Sequence, residues 1–475
     1  MTVNHKIKLK IIFSILIVSV ILFTLPEVPK SYAHAFITKS DPASLQSLST
    51  PPTKVDVDFS DPVDIKYSQI RVLDSDGKEV QENDQHYINN DQSALSVSLP
   101  PDLKNGVYTV ATKVLDQTDG HVTEKAFVFA VGQQIPQNLE NTSSSTNYQI
   151  ISIPEAIARF PSLAGQIMIS GALASTLWLW GPISRVSHNR TLELKTKIDK
   201  MTMRWLVIGS VILVASDVAM IVVQAYSINA GILDAISTKF GNMWAIRMIL
   251  SLSLLGLIFT VYQKVRKSPM LLPKPYIVTL LGISFAVLAT TSLISHGAAT
   301  GKITPLLLDF VHNVFASLWI GGVMYLAFVV LPYLKKNGES LFNASVISTF
   351  IPRFSILVSA ILGAAAITGP FLLYAIEDNT ALTLASFYGK VLIIKLLLVA
   401  VMIAFGAYNQ TIVYKNANKA LSIASGTSTI SANNNHSTNK FGSTMKIEAF
   451  IGIVLIASIA VLVDSGLPSS EFQNQ

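Results

Sequence analysis

The hydrophobic pattern changes period once along this chain, and the change divides it. Between residues 36 and 132 apolar and polar residues alternate. Examples are Lys54-Val-Asp-Val-Asp-Phe59, Ser68-Gln-Ile-Arg-Val-Leu73, Ala94-Leu-Ser-Val-Ser-Leu99, Val107-Tyr-Thr-Val-Ala-Thr-Lys-Val114 and Ala126-Phe-Val-Phe-Ala-Val131. A period of two sends successive side chains to opposite faces of a pleated ribbon, so these segments are predicted strands. Asp76-Gly77, Asn89-Asn90-Asp91 and Lys104-Asn105-Gly106 supply turns between them. Short strands at this spacing form a small antiparallel sandwich or barrel.

From residue 161 onward the alternation gives way to apolar runs of about 20 residues, the length that crosses a hydrocarbon core. They lie near 162–181, 205–227, 243–262, 275–294, 306–333, 354–376, 389–413 and 447–465, which predicts an all-α polytopic domain over 161–467. Loop charges orient it. Loop 182–204 carries Arg185, Arg190, Lys195, Lys197, Lys200 and Arg204, and loop 263–274 carries Lys264, Arg266, Lys267 and Lys274. Loops 334–353 and 414–446 add Lys335, Lys336, Arg353, Lys415, Lys419, Lys440 and Lys446, whereas the alternate loops hold Lys239 and Lys302 alone. The positive-inside rule then puts the β-domain and both chain ends outside the cell, with the helices in the plasma membrane.

Three stretches read as connections or processing signals. Residues 1–33 have a basic start (Lys6, Lys8, Lys10), an apolar stretch from Ile11 and a small-residue end at Ser31-Tyr32-Ala33, the pattern of a cleavable secretory signal. Residues 133–160 are a linker, polar at Asn141-Thr-Ser-Ser-Ser-Thr146, and 468–475 a tail. The Ser, Asn and Thr-rich segment 424–444 is expected to be a disordered cytoplasmic loop.

Composition narrows the chemistry. Half the residues are hydrophobic and 13% charged, so the partner of most of the surface is the lipid bilayer. The net charge of +6 sits in short loops between spans, where it serves topology, and no nucleic-acid partner is expected. There are no cysteines, which excludes disulfides, thiolate metal sites and Cys nucleophiles. With eight histidines, each can be weighed singly.

Cleavage after Ala33 would make His34 the first residue, offering an α-amine and an imidazole to one ion as a chelate. Thr118-Asp119-Gly120-His121 places a carboxylate and an imidazole two residues apart at a strand end, and Asp61 stands in Phe59-Ser60-Asp61-Pro62. This N/O set without sulfur suits tetragonal Cu(II) better than Cu(I), and no methionine lies between Met1 and Met168 to supply a thioether site. Taken alone, Asp119-Gly120-His121 would be an ordinary surface turn. His86 is expected to be solvated.

His34-Ala-Phe, Ser40-Asp-Pro-Ala43, Phe59-Ser-Asp-Pro62, Gly106-Val-Tyr108 and Asp119-Gly-His121 together resemble the CopC copper-binding proteins. The resemblance implies a Greek-key β-sandwich over 34–132 and a Cu(II) site formed by His34, Asp119, His121 and Asp61. The last is a position where Glu is also common.

In the membrane part, polar groups are functional candidates by default. His296 ends the fourth span, and Asp309 and His312 share a face of the fifth at i, i+3, so the three form a candidate site for receiving a metal. Against it, Asp309 could cap its helix and His312 could hydrogen-bond a neighbouring one. Asp217, Arg247 and Lys395 are conduction or structural candidates. Of these, Arg247 and Lys395 lie near enough to the span ends to snorkel outward. Trp319-Ile-Gly-Gly322 reads as an aromatic–small packing face.

His296-Gly-Ala-Ala-Thr-Gly301, Asp309-Phe-Val-His312, Trp319-Ile-Gly-Gly322, Arg353-Phe-Ser355 and Tyr388-Gly-Lys390 with Lys395 resemble the CopD multispan copper proteins. A CopC–CopD fusion implies copper uptake or resistance: an outer domain acquires Cu(II), the membrane domain passes copper inward, and the chain is not an enzyme. An extracytoplasmic copper donor or reductase would be the partner. Three other readings stand beside it. A copper monooxygenase would also use an N-terminal His, a haem oxidoreductase could use His296 and His312 as axial ligands and would show a Soret band, and a sensor or scaffold would leave cellular copper unchanged on deletion.

Overall fold

Alternation becomes burial in the β-domain. In the strand Lys54–Phe59 the side chains of Val55, Val57 and Phe59 are buried, and in Gln69–Leu73 those of Ile70 and Val72 are. The computed structural model describes residues 35–118, 120–136, 152–179, 188–267, 272–295, 298, 303–337, 340–376, 380–415 and 431–465. The strands are β1 (Ile37–Asp41), β2 (Ser47–Leu48), β3 (Lys54–Phe59), β4 (Gln69–Leu73), β5 (His86–Ile88), β6 (Asp91–Ser98), β7 (Gly106–Leu115) and β8 (Val122–Val131). They form two four-stranded sheets, ordered β1-β3-β6-β5 and β2-β8-β7-β4, antiparallel throughout except that β2 runs parallel to β8. The chain crosses repeatedly between sheets, as a Greek-key sandwich requires. Tyr108 stacks on Phe129 in the core between them. Asn89 and Asn90 both take positive φ, the geometry of the tight hairpin joining β5 to β6. His86 is exposed on β5.

Among the described residues, eight helices are long and apolar enough to cross a membrane, matching the expected number. They belong to α1 (Ile153–Leu179), α2 (His188–Ser227), α4 (Lys239–Lys267), α5 (Lys274–Ser292), α6 (Ile303–Tyr325, continued through a π-helical turn at Leu326–Val330), α7 (Ser340–Ile376), α9 (Phe387–Tyr408) and α10 (Ser431–Val463). Short α3 (Ile232–Ser237) and α8 (Thr380–Ala385) precede α4 and α9. Two expected boundaries are corrected. Helix α1 starts at Ile153, inside the stretch expected to be linker, because Glu155 and Arg159 depress the hydropathy of its first turns without breaking the helix. Likewise residues 431–444, expected to be disordered, are helical in α10. Once a span is helical, each added residue gains a backbone hydrogen bond at little cost.

Helix α1 packs against α2, α5, α6 and α10. It meets α6 at Gly171 and Gly321, where a Cβ on either glycine would strike the other helix's backbone. The Trp319-Ile-Gly-Gly322 segment is thus a close helix crossing, with Gly322 against Phe354 and Ser175.

The β-domain sits on this bundle through an apolar cluster. Tyr67, Leu115 and Val122 join Ala158, Met220, Ala225, Ile228, Phe240 and Ile294 of the membrane domain. At its rim Lys66 Nζ donates to Tyr67 Oη and to Asp234 Oδ1, both at 2.9 Å. Those bonds, Tyr67 first, hold the Lys66 ammonium well above the usual lysine range, and the Lys66 bond holds the Asp234 carboxyl below its own. A depressed carboxyl contributes to docking above its unperturbed value and loses that contribution as pH falls through the depressed one. The pair is exposed, so its effect is modest. Spin-label distances between the domains should broaden slightly only as pH falls below the usual carboxylate range. Asp234→Asn should reproduce that broadening at neutral pH.

Candidate metal centre

The end of β3 and the start of β1 are stitched together. The Ser60 N–H donates to the Phe36 carbonyl at 2.9 Å, the Phe36 N–H donates to Ser60 Oγ at 3.2 Å, and Ser60 Oγ donates to Asp61 Oδ2 at 2.8 Å. This buries Asp61 beside the strand that follows His34, with Ala35 fully enclosed. His34 itself, Asp119 and His296 lie outside the described residues.

Between β7 and β8 the chain turns back through Asp116–His121. The Asp116 carboxylate accepts from the Thr118 N–H and hydroxyl, and its backbone N–H donates to the His121 carbonyl at 2.9 Å. Asp116, which the sequence reading passed over, therefore shapes the turn that presents His121. Gly120 takes φ +79 and faces Phe240 of α4, while its carbonyl accepts from Gln224 Nε2 of α2 at 2.8 Å. A glycine between Asp119 and His121 is what lets this turn lie flat on the helices.

His121 is consequently buried at the junction. Its Nε2 lies 3.9 Å from Glu155 Oε2, in the first turn of α1, and 3.8 Å from Asp464 Oδ1, just past the end of α10. Arg159, one turn below Glu155, places Nε 2.7 Å from the same Asp464 oxygen and Nη2 3.4 Å from His121 Nε2. Among the described residues, His121, Glu155 and Asp464 are the set of three His or carboxylate side chains whose donor atoms fall within 4.8 Å of one another. Sequence reasoning did not single out Glu155, Arg159 or Asp464. The only signal was the i, i+4 spacing of Glu155 and Arg159 on one face of α1.

The polar residues singled out within the helices separate into two groups. Asp309 accepts from Ser295 Oγ at 2.9 Å and Asn313 Nδ2 at 3.1 Å, and His312 Nδ1 pairs with Thr368 Oγ1 of α7 at 3.1 Å. Lys395 of α9 is half-buried and acts electrostatically on both Asp309 and His312, which corrects the expectation that it snorkels outward. Asp309 and His312 join no metal-sized set among the described residues.

Asp217 and Arg247 make the second group, deep between α2, α4 and α5. Asp217 Oδ2 accepts from Ser251 Oγ at 2.8 Å. Arg247 is 3% exposed and donates to Thr290 Oγ1 at 3.0 Å and Thr291 Oγ1 at 3.1 Å. Arg247 therefore does not snorkel either: two threonines and the charge of Asp217 satisfy it inside the bundle.

Comparison with known proteins bears on all of this. Residues 37–132 match the CopC domain, residues 151–304 the N-terminal domain of copper resistance protein D-like proteins, and residues 348–462 copper resistance protein D. Protein YobA of Escherichia coli is 30% identical over 111 residues, 23% of this chain and 89% of that protein. The chain belongs to the CopC–CopD copper resistance family. Copper transport protein CutJ of Bacillus subtilis is 22% identical over 466 residues, 95% of this chain and 77% of its own length. The crystal structure of CopC from Methylosinus trichosporium is 30% identical, covering 22% of this chain and 100% of that one, with a TM-score of 0.20. Asp61, Asp119 and His121 fall inside the CopC match, whereas Asp309 and His312 lie between the two CopD-type matches and Asp464 just beyond the second.

Proposed function

We propose that this chain acquires copper outside the cell and passes it through its membrane domain. His34, Asp119 and His121 would hold Cu(II) in the CopC domain with Asp61 in support. The CopD-type helices, with Asp309 and His312 among their polar groups, would carry the ion across the plasma membrane. One observation carries this reading: the imidazole expected to bind copper is buried against the membrane helices, with Nε2 turned toward Glu155 and Asp464. A domain that only stored or sensed copper would have no need to bring its ligand to that junction. Delivery also fits better than catalysis, because a carboxylate-rich set fills the coordination positions that oxygen activation requires to be open. The printed names of CutJ, a copper transport protein, and of the CopD-type family agree in direction.

The amine and imidazoles must lose protons to bind, so Cu(II) affinity should fall with pH. The deciding measurement is cellular copper in a deletion strain complemented with the wild type or with His121→Ala. The wild type should restore accumulation. His121→Ala should stay at the deletion level, and its purified chain should bind Cu(II) at least about 10–100-fold more weakly. Equal accumulation in the deletion strain and the wild type would overturn the reading.

A further inference from the structure

Three parts of the chain that are remote in sequence converge at the junction: the turn before β8, the first turn of α1 and the end of α10. They bring one imidazole and two carboxylates together, and His121, Glu155 and Arg159 border a small cavity of about 10 Å³, room for roughly one water or ion. Ala158, Met220, Val223, Phe240 and Ile294 supply the apolar part of its wall, and Gln224 adds a polar one.

The distances fit an ion. First-row divalent cations bind N and O donors at about 2 Å, so donors sharing one ion lie no more than about 4 Å apart. The imidazole nitrogen is 3.9 Å from one carboxylate oxygen and 3.8 Å from the other. Asp464 is a second and independent indication. Its side chain is wholly buried, and neither oxygen accepts a hydrogen bond among the described residues. Its charge is met by Arg159 at 2.7 Å. A buried carboxylate without hydrogen bonds is costly unless a cation faces it. Arg159 is that cation, and it reaches the same two groups, Asp464 and His121, that an arriving metal would use.

We propose that His121, Glu155 and Asp464 form an interdomain site for a divalent N/O-preferring cation, Cu(II) being the cargo, and that Arg159 is displaced from it by the ion. The proposal rests on the copper-delivery reading and adds to it a handover point. His121 is the shared ligand, belonging to the CopC set through its turn and to the membrane helices through Nε2. Two carboxylates match the charge of a divalent ion once Arg159 withdraws. Beneath Arg159 the same face of α1 carries Ser162, Gln166 and Ser170, all buried, so the site opens onto a polar stripe rather than onto lipid-like side chains.

The test uses the full chain in lipid nanodiscs and Cu(II) as the probe, by equilibrium dialysis. In a His34→Ala/Asp61→Ala/Asp119→Ala background the CopC set is dismantled, yet one Cu(II) per chain should still bind. Adding Glu155→Gln and Asp464→Asn should weaken this residual binding by about 10–100-fold or more, the scale of effect seen around metal centres. Arg159→Gln in the same background should tighten it by about tenfold, a change of about 1.4 kcal/mol. That opposite sign keeps the idea testable even if the carboxylate variant folds poorly. No residual binding, residual binding indifferent to Glu155 and Asp464, or an Arg159→Gln chain that binds no more tightly would each overturn the site. Failure of the wild-type chain to bind Cu(II) at all would instead sink the delivery reading beneath it.

Discussion

Replacing Arg247 with methionine is expected to destabilise the membrane domain by about 1–3 kcal/mol, the cost of leaving buried polar groups without the donors and charge that answer them. Arg247 is enclosed by Thr290, Thr291 and Met220 and supports the charge of Asp217, which is fully buried between α2 and α4. Without the guanidinium, Asp217 keeps one hydrogen bond, from Ser251, and must be protonated or solvated at low dielectric. The measurement is the thermal midpoint of the detergent-solubilised protein. Asp217→Asn/Arg247→Met should recover most of the loss, because the second change removes the orphaned charge. If the double variant were as unstable as Arg247→Met alone, the two charges would not be partners.

Gly120→Val should lift the CopC domain off the membrane helices. At φ +79 a side chain costs about 1–2 kcal/mol of backbone strain. A Cβ there would also sit 2.6 Å from the Phe240 Cβ, and overpacking of that kind costs about 1–3 kcal/mol more. The strain falls on the junction, so undocking relieves the clash while the sandwich stays folded. Spin-label distances between the domains should lengthen and broaden, and copper accumulation should drop toward that of a deletion strain. Gly77→Val is the control. It has a similar φ of +77 but open space around it, so it should weaken the sandwich without moving the domain.

How much of this was legible beforehand depended on whether the signal was local. Strict alternation placed β3 to the residue, because Val55, Val57 and Phe59 report burial directly. Strands β1, β2 and β5 carry no such alternation; they are short and at most half-buried, and pairing with a neighbour defines them. Hydropathy gave all eight spans, since each is a property of one continuous window. It could not give the start of α1 or α10, where polar residues continue a helix that apolar ones sustain. At the candidate site, Asp-x-His spacing singled out His121. Its neighbours Glu155 and Asp464 come from opposite ends of the membrane domain, and nothing local distinguishes them from ordinary flanking charges. Arg247 was misjudged for a related reason. Its depth allowed snorkelling, and only the threonines of α5 and the carboxylate of α2 show why it stays inside.

The ion pair between Arg159 and Asp464 has a consequence for how the molecule is made. It ties α1 to the residue just past α10, so Arg159 enters the bilayer long before its Asp464 partner has been synthesised. Until α10 arrives, a guanidinium destined for burial lacks that countercharge, and the helix that bears it cannot settle in its final place. Insertion of α10 supplies that countercharge and completes the junction beneath the CopC domain.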